Sequence, residues 1–303
     1  MRFTKFHGYG NDYLVFEAAE LAAVGWRSGF GHYDAPGPLG DFVRGVCDRH
    51  FGAGADGVAV VERLTGGGYA DFVLRIFNPD GSEAAMSGNG SRCAAAYLHL
   101  SGLWSKEELS FRTRAGVKRF RLRERISEGA FRFEAEIGQP RFDSGSIPML
   151  THEPLAEVRD YALALTDGET VPVTALQMCN PNCCVFVDDL DETDWRRLGR
   201  IIESHAAFPE RTNVEFIRVL DRGSVEARVW ERGAGETLSS GTGASAAAVA
   251  SMIGGHTDRH VRVEMPGGLL EVLWRDDGEV LLTGTAEVVY RGEWLRESQK
   301  SER

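Results

Sequence analysis

Several features that would fix a function class are missing from this sequence. It has five cysteines (Cys47, Cys93, Cys179, Cys183 and Cys184), an odd number with no Cys-x-x-Cys spacing. That argues against both a disulfide framework and a zinc site. No apolar run approaches the ~20 residues that cross a bilayer. The opening Met1-Arg2-Phe3-Thr4-Lys5 lacks the apolar stretch of a signal peptide. A cytoplasmic protein without membrane contact is expected. Positive charge is in deficit, with 34 Lys and Arg against 45 Asp and Glu and a formal net charge of −11. Such a surface repels phosphate backbones and anionic headgroups, so neither nucleic acid nor membrane is expected as a partner. The basic run Lys118-Arg119-Phe120-Arg121 alternates with apolar residues and reads as the solvated face of a strand.

What the chain does have is glycine, 36 residues of it, gathered in clusters. Clustered glycine points to tight turns or to close approach of backbone to a ligand. At 303 residues, 43% hydrophobic and 26% charged, the composition is that of a globular protein of one large or two ordinary domains. Short β-like runs recur at Phe72–Phe77, Phe131–Ile137, Cys184–Val187, Val214–Val219, Val225–Trp230 and Val261–Glu264. Several alternate with period two, as half-buried antiparallel strands do. Helical patterns are fewer, at Leu39–His50, Gly90–Leu103, Asp194–Ala206 and Gly243–Ile253. The class is α+β. The Gly-, Ala- and Pro-rich segment Glu17–Gly40 reads as a surface insertion rather than a core element, and Ser298–Arg303 as a frayed end.

An internal repeat is the most informative feature. The stretch from Glu83 through Ser87-Gly88-Asn89-Gly90 to Ala94-Ala95 can be laid without gaps over Glu236 through Ser240-Gly241-Thr242-Gly243 to Ala247-Ala248. The offset is about half the chain. Glu, Ser, both glycines and two alanines coincide. Each copy follows a β-like run and leads into an Ala-rich helix, so two related domains are expected. Their expected bounds are 1–134 and 135–286, with residues from about 287 to 303 as candidates to pack back on the first.

The Ser-Gly-x-Gly turn before a helix carries definite chemistry. Glycines let the backbone approach a ligand closely, and the first turn offers N–H groups without intrahelical partners. With the helix dipole these form an anion site. Two such helices pointing into one cleft would hold a carboxylate and stabilise negative charge developing on it. Each serine can be read in two ways: as an N-cap favoured for structural reasons, or as a group facing the ligand. Ahead of the second copy stands Glu231-Arg232-Gly233-Ala234-Gly235-Glu236-Thr237. Glu for an ammonium and Arg for a carboxylate are what recognition of an amino acid requires; an ordinary surface ion pair is the alternative.

These segments resemble the diaminopimelate epimerase family over most of the chain. The resemblance begins with Phe3-Thr4-Lys5-Phe6-His7-Gly8-Tyr9-Gly10-Asn11-Asp12-Tyr13. It continues through Gly52-Ala53-Gly54-Ala55-Asp56-Gly57 and Phe77-Asn78-Pro79-Asp80-Gly81-Ser82-Glu83. Further on stand Asn180-Pro181-Asn182, Arg211-Thr212-Asn213-Val214 and the Glu231–Thr237 segment. The resemblance implies two domains related by a pseudo-twofold, each a curved, mostly antiparallel sheet wrapped around a central helix, with the active-site cleft between them. It implies an isomerase that works without pyridoxal phosphate, other cofactor or metal, inverting an amino-acid α-carbon. The implied substrate is L,L-diaminopimelate, converted to the meso form for lysine and cell-wall synthesis, and the implied assembly is a homodimer. On the same basis Asn11, Asn78, Asn180, Asn213, Glu231 and Arg232 would bind the distal amino-acid end of the substrate. Gly88, Asn89, Gly241 and Thr242 would cradle the reacting carboxylate.

One departure matters. The family's pattern places cysteines at the two positions that are Ser87 and Ser240 here, where one thiolate takes the α-proton and the opposite thiol returns one. A thiol with pKa near ~8.5 is readily turned into thiolate at a helix N-terminus. A serine hydroxyl is a far weaker acid and needs an adjacent base. The family's Asn-Pro-His is Asn180-Pro181-Asn182 in this chain. Three readings stay open: an epimerase with weakened or altered activity, with Ser87 and Ser240 at the catalytic positions; a sister isomerase or racemase acting on another small amino or hydroxy acid; and an amino-acid-binding protein without catalysis.

Overall fold

The computed structural model describes residues 1–27, 37–64, 69–165 and 168–295. The chain divides into two units, Met1–Ala135 together with residues from Gly284 onward, and Glu136–Thr283. The first unit contains β1 (Arg2–Gly8), β2 (Asn11–Glu17), a 3-10 helix (Ala18–Val24), α1 (Pro38–Cys47), β3 (Gly57–Arg63), β4 (Phe72–Phe77), β5 (Glu83–Ala84), α2 (Gly88–Leu100), β6 (Glu108–Thr113), β7 (Gly116–Arg125) and most of β8 (Ala130–Gly138). The second contains β9 (Val158–Ala164), β10 (Thr170–Met178), β11 (Asn180–Phe186), α3 (Trp195–Glu203), β12 (Asn213–Asp221), β13 (Ser224–Glu231), β14 (Gly235–Thr237), α4 (Gly241–Ile253), β15 (His260–Met265) and β16 (Gly268–Trp274). The last strand, β17 (Val280–Glu293), starts in the second unit and ends in the first.

In the first unit the hydrogen-bonded order runs β17, β1, β2, β3, β4, β6, β7, β8 and back to β17, a closed ring. The second unit runs β9, β10, β11, β12, β13, β15, β16, β17. The β2/β3 and β4/β6 pairs are parallel in one, β11/β12 and β13/β15 in the other. The repeat seen in the motif thus extends to the whole topology.

Each sheet encloses one helix. Nearly every residue of α2 from Asn89 to His99 is buried, and α4 is buried continuously from Gly243 to Ser251. A helix enclosed on all sides must be apolar all round and slender, which is why both are rich in alanine. The serines Ser245 and Ser251 inside α4 satisfy their hydroxyls on the carbonyls of Gly241 and Ala247. Against the outer face of β2 and β3 pack α1 and the 3-10 helix, with Leu14, Phe16, Phe42, Val43 and Val58 in one cluster. Outside β11 and β12 lies α3, with Val185, Trp195, Leu198, Val214 and Phe216. Strands covered on both faces lose the alternation of a half-exposed strand, and β2 is buried from Asp12 to Phe16 without a break.

Two readings of the sequence are corrected. The Glu17–Gly40 segment is not wholly a surface insertion: Ala18, Leu21 and Val24 are buried in the core cluster. Residues 28–36 of that segment lie outside the described residues, as does Ser298–Arg303. Helix α1 stops at Cys47 rather than His50, because the Asp48 carboxylate accepts the N–H groups of His50 and Phe51, both at 2.7 Å, and turns the chain out of the helix. The basic stretch Lys118–Arg121 lies on β7 with only Phe120 buried.

Candidate functional site

Both Ser-Gly-x-Gly turns open enclosed helices. Ser87 is the N-cap of α2 in extended conformation, its Oγ accepting the Gly90 N–H at 3.1 Å. Ser240 caps α4 in the same way, through Gly243 N–H at 3.2 Å. Neither helix has an acidic residue in its first turn. The N–H groups of Gly88 and Asn89, and of Gly241 and Thr242, meet no backbone or side-chain acceptor among the described residues. Each helix therefore presents two free donors at the positive end of its dipole, an arrangement that binds a carboxylate oxygen.

The first half-site is built on β2 and α2. Asn11 and Tyr13 project from the face of β2 opposite Leu14 and Phe16. The Tyr13 hydroxyl donates to Ser87 Oγ at 2.8 Å. With Gly90 N–H and Tyr13 O–H both directed at it, Ser87 Oγ has its two lone pairs engaged, leaving its own hydrogen to donate. The Tyr13 ring lies in a slot between two glycines: a Cβ at Gly57 would stand 2.6 Å from Tyr13 Cε1, and one at Gly90 2.9 Å from the same atom. At Gly57 and Gly90, therefore, an aromatic ring of the protein itself stands where a side chain would be, joined at Gly57 by the Phe77 carbonyl at 2.8 Å. Tyr13 was not singled out from sequence, because its partners are distant in the chain.

The sequence-assigned asparagines are joined unevenly. Asn89 donates to Asn11 Oδ1 at 3.2 Å, and Asn11 donates to Asp56 at 3.1 Å. The Asn78 amide is exposed and turned to Ser82 Oγ in its own turn, at 2.9 Å. In the second unit the Arg232 backbone N–H donates to Asn213 Oδ1 at 2.8 Å, Asn213 to Asn182 Oδ1 at 3.3 Å, and Asn182 to the Asn180 carbonyl at 2.7 Å. Asn182 is fully buried with both ends of its amide engaged, so it serves as a brace between Asn213 and Asn180. The Arg232 side chain is exposed and rests on the Glu210 carbonyl at 3.0 Å. The Glu231 carboxylate accepts from Thr237 Oγ1 at 2.7 Å.

Beneath the second turn lies a group the sequence reading missed. Asn213 and Glu215 share one face of β12, while Val214 and Phe216 point into the outer cluster. Glu215 is completely buried, and a Cβ on Gly243 would be 3.0 Å from its Oε1 and 3.2 Å from Ser240 Oγ. Its Oε2 accepts from the Cys184 thiol at 3.8 Å, whereas Oε1 has no partner among the described residues. Burial, reinforced by the Glu231 charge, pushes the Glu215 carboxyl well above the ordinary carboxylate range and so favours its neutral form. An acidic residue amid Val214, Phe216 and Ile217 was the available signal. The repeated glutamates have a different task. Glu83 accepts a bidentate pair from fully buried Arg75 at 2.6 and 2.7 Å, and Glu236 one from Arg196 at 2.7 and 2.8 Å. They anchor the short strands β5 and β14 that deliver the chain to each serine.

The cysteines offer no ready thiolate to either turn. Burial pushes the Cys93 and Cys47 thiols up to about 12 and raises Cys183 and Cys184 strongly. Exposed Cys179 points its thiol at the Ile137 carbonyl, 3.3 Å away. Among the described residues no group of three or more His, Cys, Asp or Glu side chains gathers as a metal site would require, and no helix is long and apolar enough to cross a membrane.

Similarity to known proteins agrees with this picture. The diaminopimelate epimerase profile matches residues 3–141 and 174–289. A diaminopimelate epimerase of Desulforudis audaxviator is 43% identical over 98% of this chain and 100% of its own length. One from Pelotomaculum thermopropionicum is 42% identical over 97% and 99%. Among solved structures, a hydroxyproline epimerase from Agrobacterium vitis superposes with a TM-score of 0.67 at 17% identity, covering 99% of this chain and 92% of that one. A PhzF-family phenazine biosynthesis protein from Bacillus anthracis gives 0.66 at 18% identity, covering 98% and 99%; these two establish likeness of fold alone. With profile, identity and coverage in agreement along nearly its whole length, the chain belongs to the diaminopimelate epimerase family.

Proposed function

We propose that the chain takes diaminopimelate as its ligand and exchanges the proton on one α-carbon, interconverting the L,L and meso forms. The observation that carries this is the matched pair of helix starts, each with a serine N-cap and two unpaired N–H groups, in a member of this family. Gly88 and Asn89 in one half-site, and Gly241 and Thr242 in the other, would donate to the reacting carboxylate. As the α-proton leaves, charge moves onto that carboxylate, and fixed donors stabilise it without reorganisation. Asn11, Asn78, Asn180, Asn213, Glu231 and Arg232 would hold the distal amino-acid end. Ser87 and Ser240 would occupy the two proton-transfer positions, and a homodimer would be the working form.

Serine sets the rate of this reaction. A serine hydroxyl is a far weaker acid than a thiol at ~8.5, close to water itself, and a helix terminus contributes only ~0.3–2 kcal/mol towards closing that gap. Slow exchange is therefore expected. A second reading, binding without turnover, is favoured by one feature: the doubly engaged lone pairs of Ser87 Oγ, which leave it a poor base. Incubation with L,L-diaminopimelate in deuterated water, followed by mass spectrometry, separates the two. Slow α-deuteration supports the first reading, and ligand-dependent thermal stabilisation without deuteration the second. Absence of both would end the proposal. With Ser87→Cys and Ser240→Cys together, exchange should rise by roughly 10²-fold or more, in line with the usual contribution of general acid–base catalysis.

A further inference from the structure

The asparagine pair of the first half-site is the middle of a longer chain of hydrogen bonds. Arg92, one turn into α2, donates through Nη2 to Asn89 Oδ1. Asn89 Nδ2 donates to Asn11 Oδ1, and Asn11 Nδ2 donates to Asp56 Oδ2. Asp56 is tied in turn to Arg49 at 2.7 Å and to the Asp12 N–H at 3.0 Å. The two ends differ in kind. A guanidinium can only donate and a carboxylate can only accept. A carboxamide between them has one orientation that satisfies both neighbours. Flipping either Asn11 or Asn89 would set donor against donor at one junction and acceptor against acceptor at the next.

Arg92 is otherwise hard to explain. It is fully buried, and among the described residues no carboxylate pairs with it. Its Nε and Nη1 meet no acceptor among the described residues, and the guanidinium lies 5.7 Å from the Tyr9 ring centre. Burial works against its charge. An isolated buried cation of this sort is unfavourable for folding. Tyr9 is held in the left-handed region at φ 58°, with its hydroxyl accepting the Thr285 N–H at 2.9 Å. Gly8 leaves room for the Asn89 amide: a Cβ there would lie 3.2 Å from Asn89 Oδ1. The surroundings are therefore shaped to keep Arg92 on that one oxygen.

We propose that Arg92 and Asp56 are positioning residues that fix the polarity of the Asn89 and Asn11 carboxamides, so that each keeps one uncommitted amide hydrogen for a carboxylate of the ligand. This rests on the assignment of Asn11 and Asn89 to the diaminopimelate site. The chain also couples two subsites, since Asn89 belongs to the reacting end and Asn11 to the distal end. A change at Arg92 should be felt at both.

The test is calorimetric titration of the full-length protein with L,L-diaminopimelate, paired with thermal denaturation, for the unaltered protein, Arg92→Met and Arg92→Lys. Met fills similar volume without charge and releases Asn89; Lys restores a donor. Arg92→Met should bind about tenfold to hundredfold more weakly, the usual scale for losing a hydrogen bond from a charged group, while its Tm is unchanged or higher. Arg92→Lys should recover part of the affinity. A purely structural arginine would give the reverse pattern, a lower Tm with unchanged affinity, and would overturn the inference. If Arg92→Met does not fold, Arg92→Lys and Arg92→Gln decide together: affinity largely kept by Lys but tenfold lower for Gln, which can also accept and so lose the fixed polarity, supports the inference. Equal binding by all of them overturns the inference. Should the unaltered protein not bind diaminopimelate, the ligand assignment fails instead, and the two failures are told apart.

Discussion

Substituting Gly90 by alanine probes the slot that holds Tyr13. The new methyl would stand 2.9 Å from Tyr13 Cε1, 3.1 Å from Tyr13 Cζ and 3.0 Å from Ile76 Cδ1, against a comfortable carbon–carbon separation of about 3.5–4.0 Å. The ring has to retreat by roughly half an ångström or more, yet Gly57 blocks the other side, where the Cα–ring contact is already too close for any side chain. Overpacking of this kind costs about 1–3 kcal/mol. A displaced ring also weakens the 2.8 Å bond to Ser87, worth about 1 kcal/mol. Against this stands the helix preference of alanine over glycine, at most about 1 kcal/mol and less in a first turn. The net loss should be about 1–3 kcal/mol, or roughly 2–10 °C in Tm. Urea denaturation of Gly90→Ala, Tyr13→Ala and the double variant supplies the decisive cycle. With the ring removed, alanine at position 90 should be neutral or stabilising, giving a coupling of at least about 1 kcal/mol. The same loss with and without the ring would refute the slot.

Three further outcomes follow from other parts of the molecule. Burial first and Glu231 second raise the folded pKa of Glu215 above its unfolded value of ~4.3. Its stabilising contribution is therefore complete below that pH and is lost as pH rises towards the folded value. The Tm of Glu215→Gln should gain steadily on that of the unaltered protein from pH 4.5 upward; a constant difference across pH would count against a neutral acid. Glu83→Gln leaves buried Arg75 without its counter-charge and should lower stability by about 3–5 kcal/mol in chemical denaturation, whereas a loss under 1 kcal/mol would mean the pair is not desolvated. Leu21→Ala should cost about 2–5 kcal/mol if Ala18–Val24 is core, and close to nothing if that segment is a surface insertion.

Much of the architecture was legible where the signal is local. The Ser-Gly-x-Gly repeat located both enclosed helices, and β4, β12, β13 and β15 were found as alternating or apolar runs. The 3-10 helix was missed because its buried residues, Ala18, Leu21 and Val24, recur every third position, a spacing that a 3.6-residue template does not collect. At the candidate site the serines, glycines and asparagines were named from sequence, and their hydrogen bonds now group Asn11 with Asn89 and Asn180 with Asn213. Tyr13, Arg92 and Glu215 escaped. Each owes its role to a partner on another element, as in the Gly57–Tyr13–Gly90 stack, and no spacing along the chain encodes such a meeting. The clustered glycines were read as marks of tight turns or of close approach to a ligand; at Gly57 and Gly90 the group that comes close is the Tyr13 ring.

The route of β17 bears on how the molecule is made. Its final residues, Glu287 to Glu293, pair with β1 at the very start of the chain, while its first residues pair with β16. During synthesis the second unit, continuous from Glu136 to Thr283, has all its strands in hand before the first does. Until β17 has been made, β1 carries an open hydrogen-bonding edge on the side that β17 will cover, a template for wrong partners. The unit whose first strands are made earliest is thus the one that matures last, and a chain cut before Glu287 would lack the strand segment that covers β1.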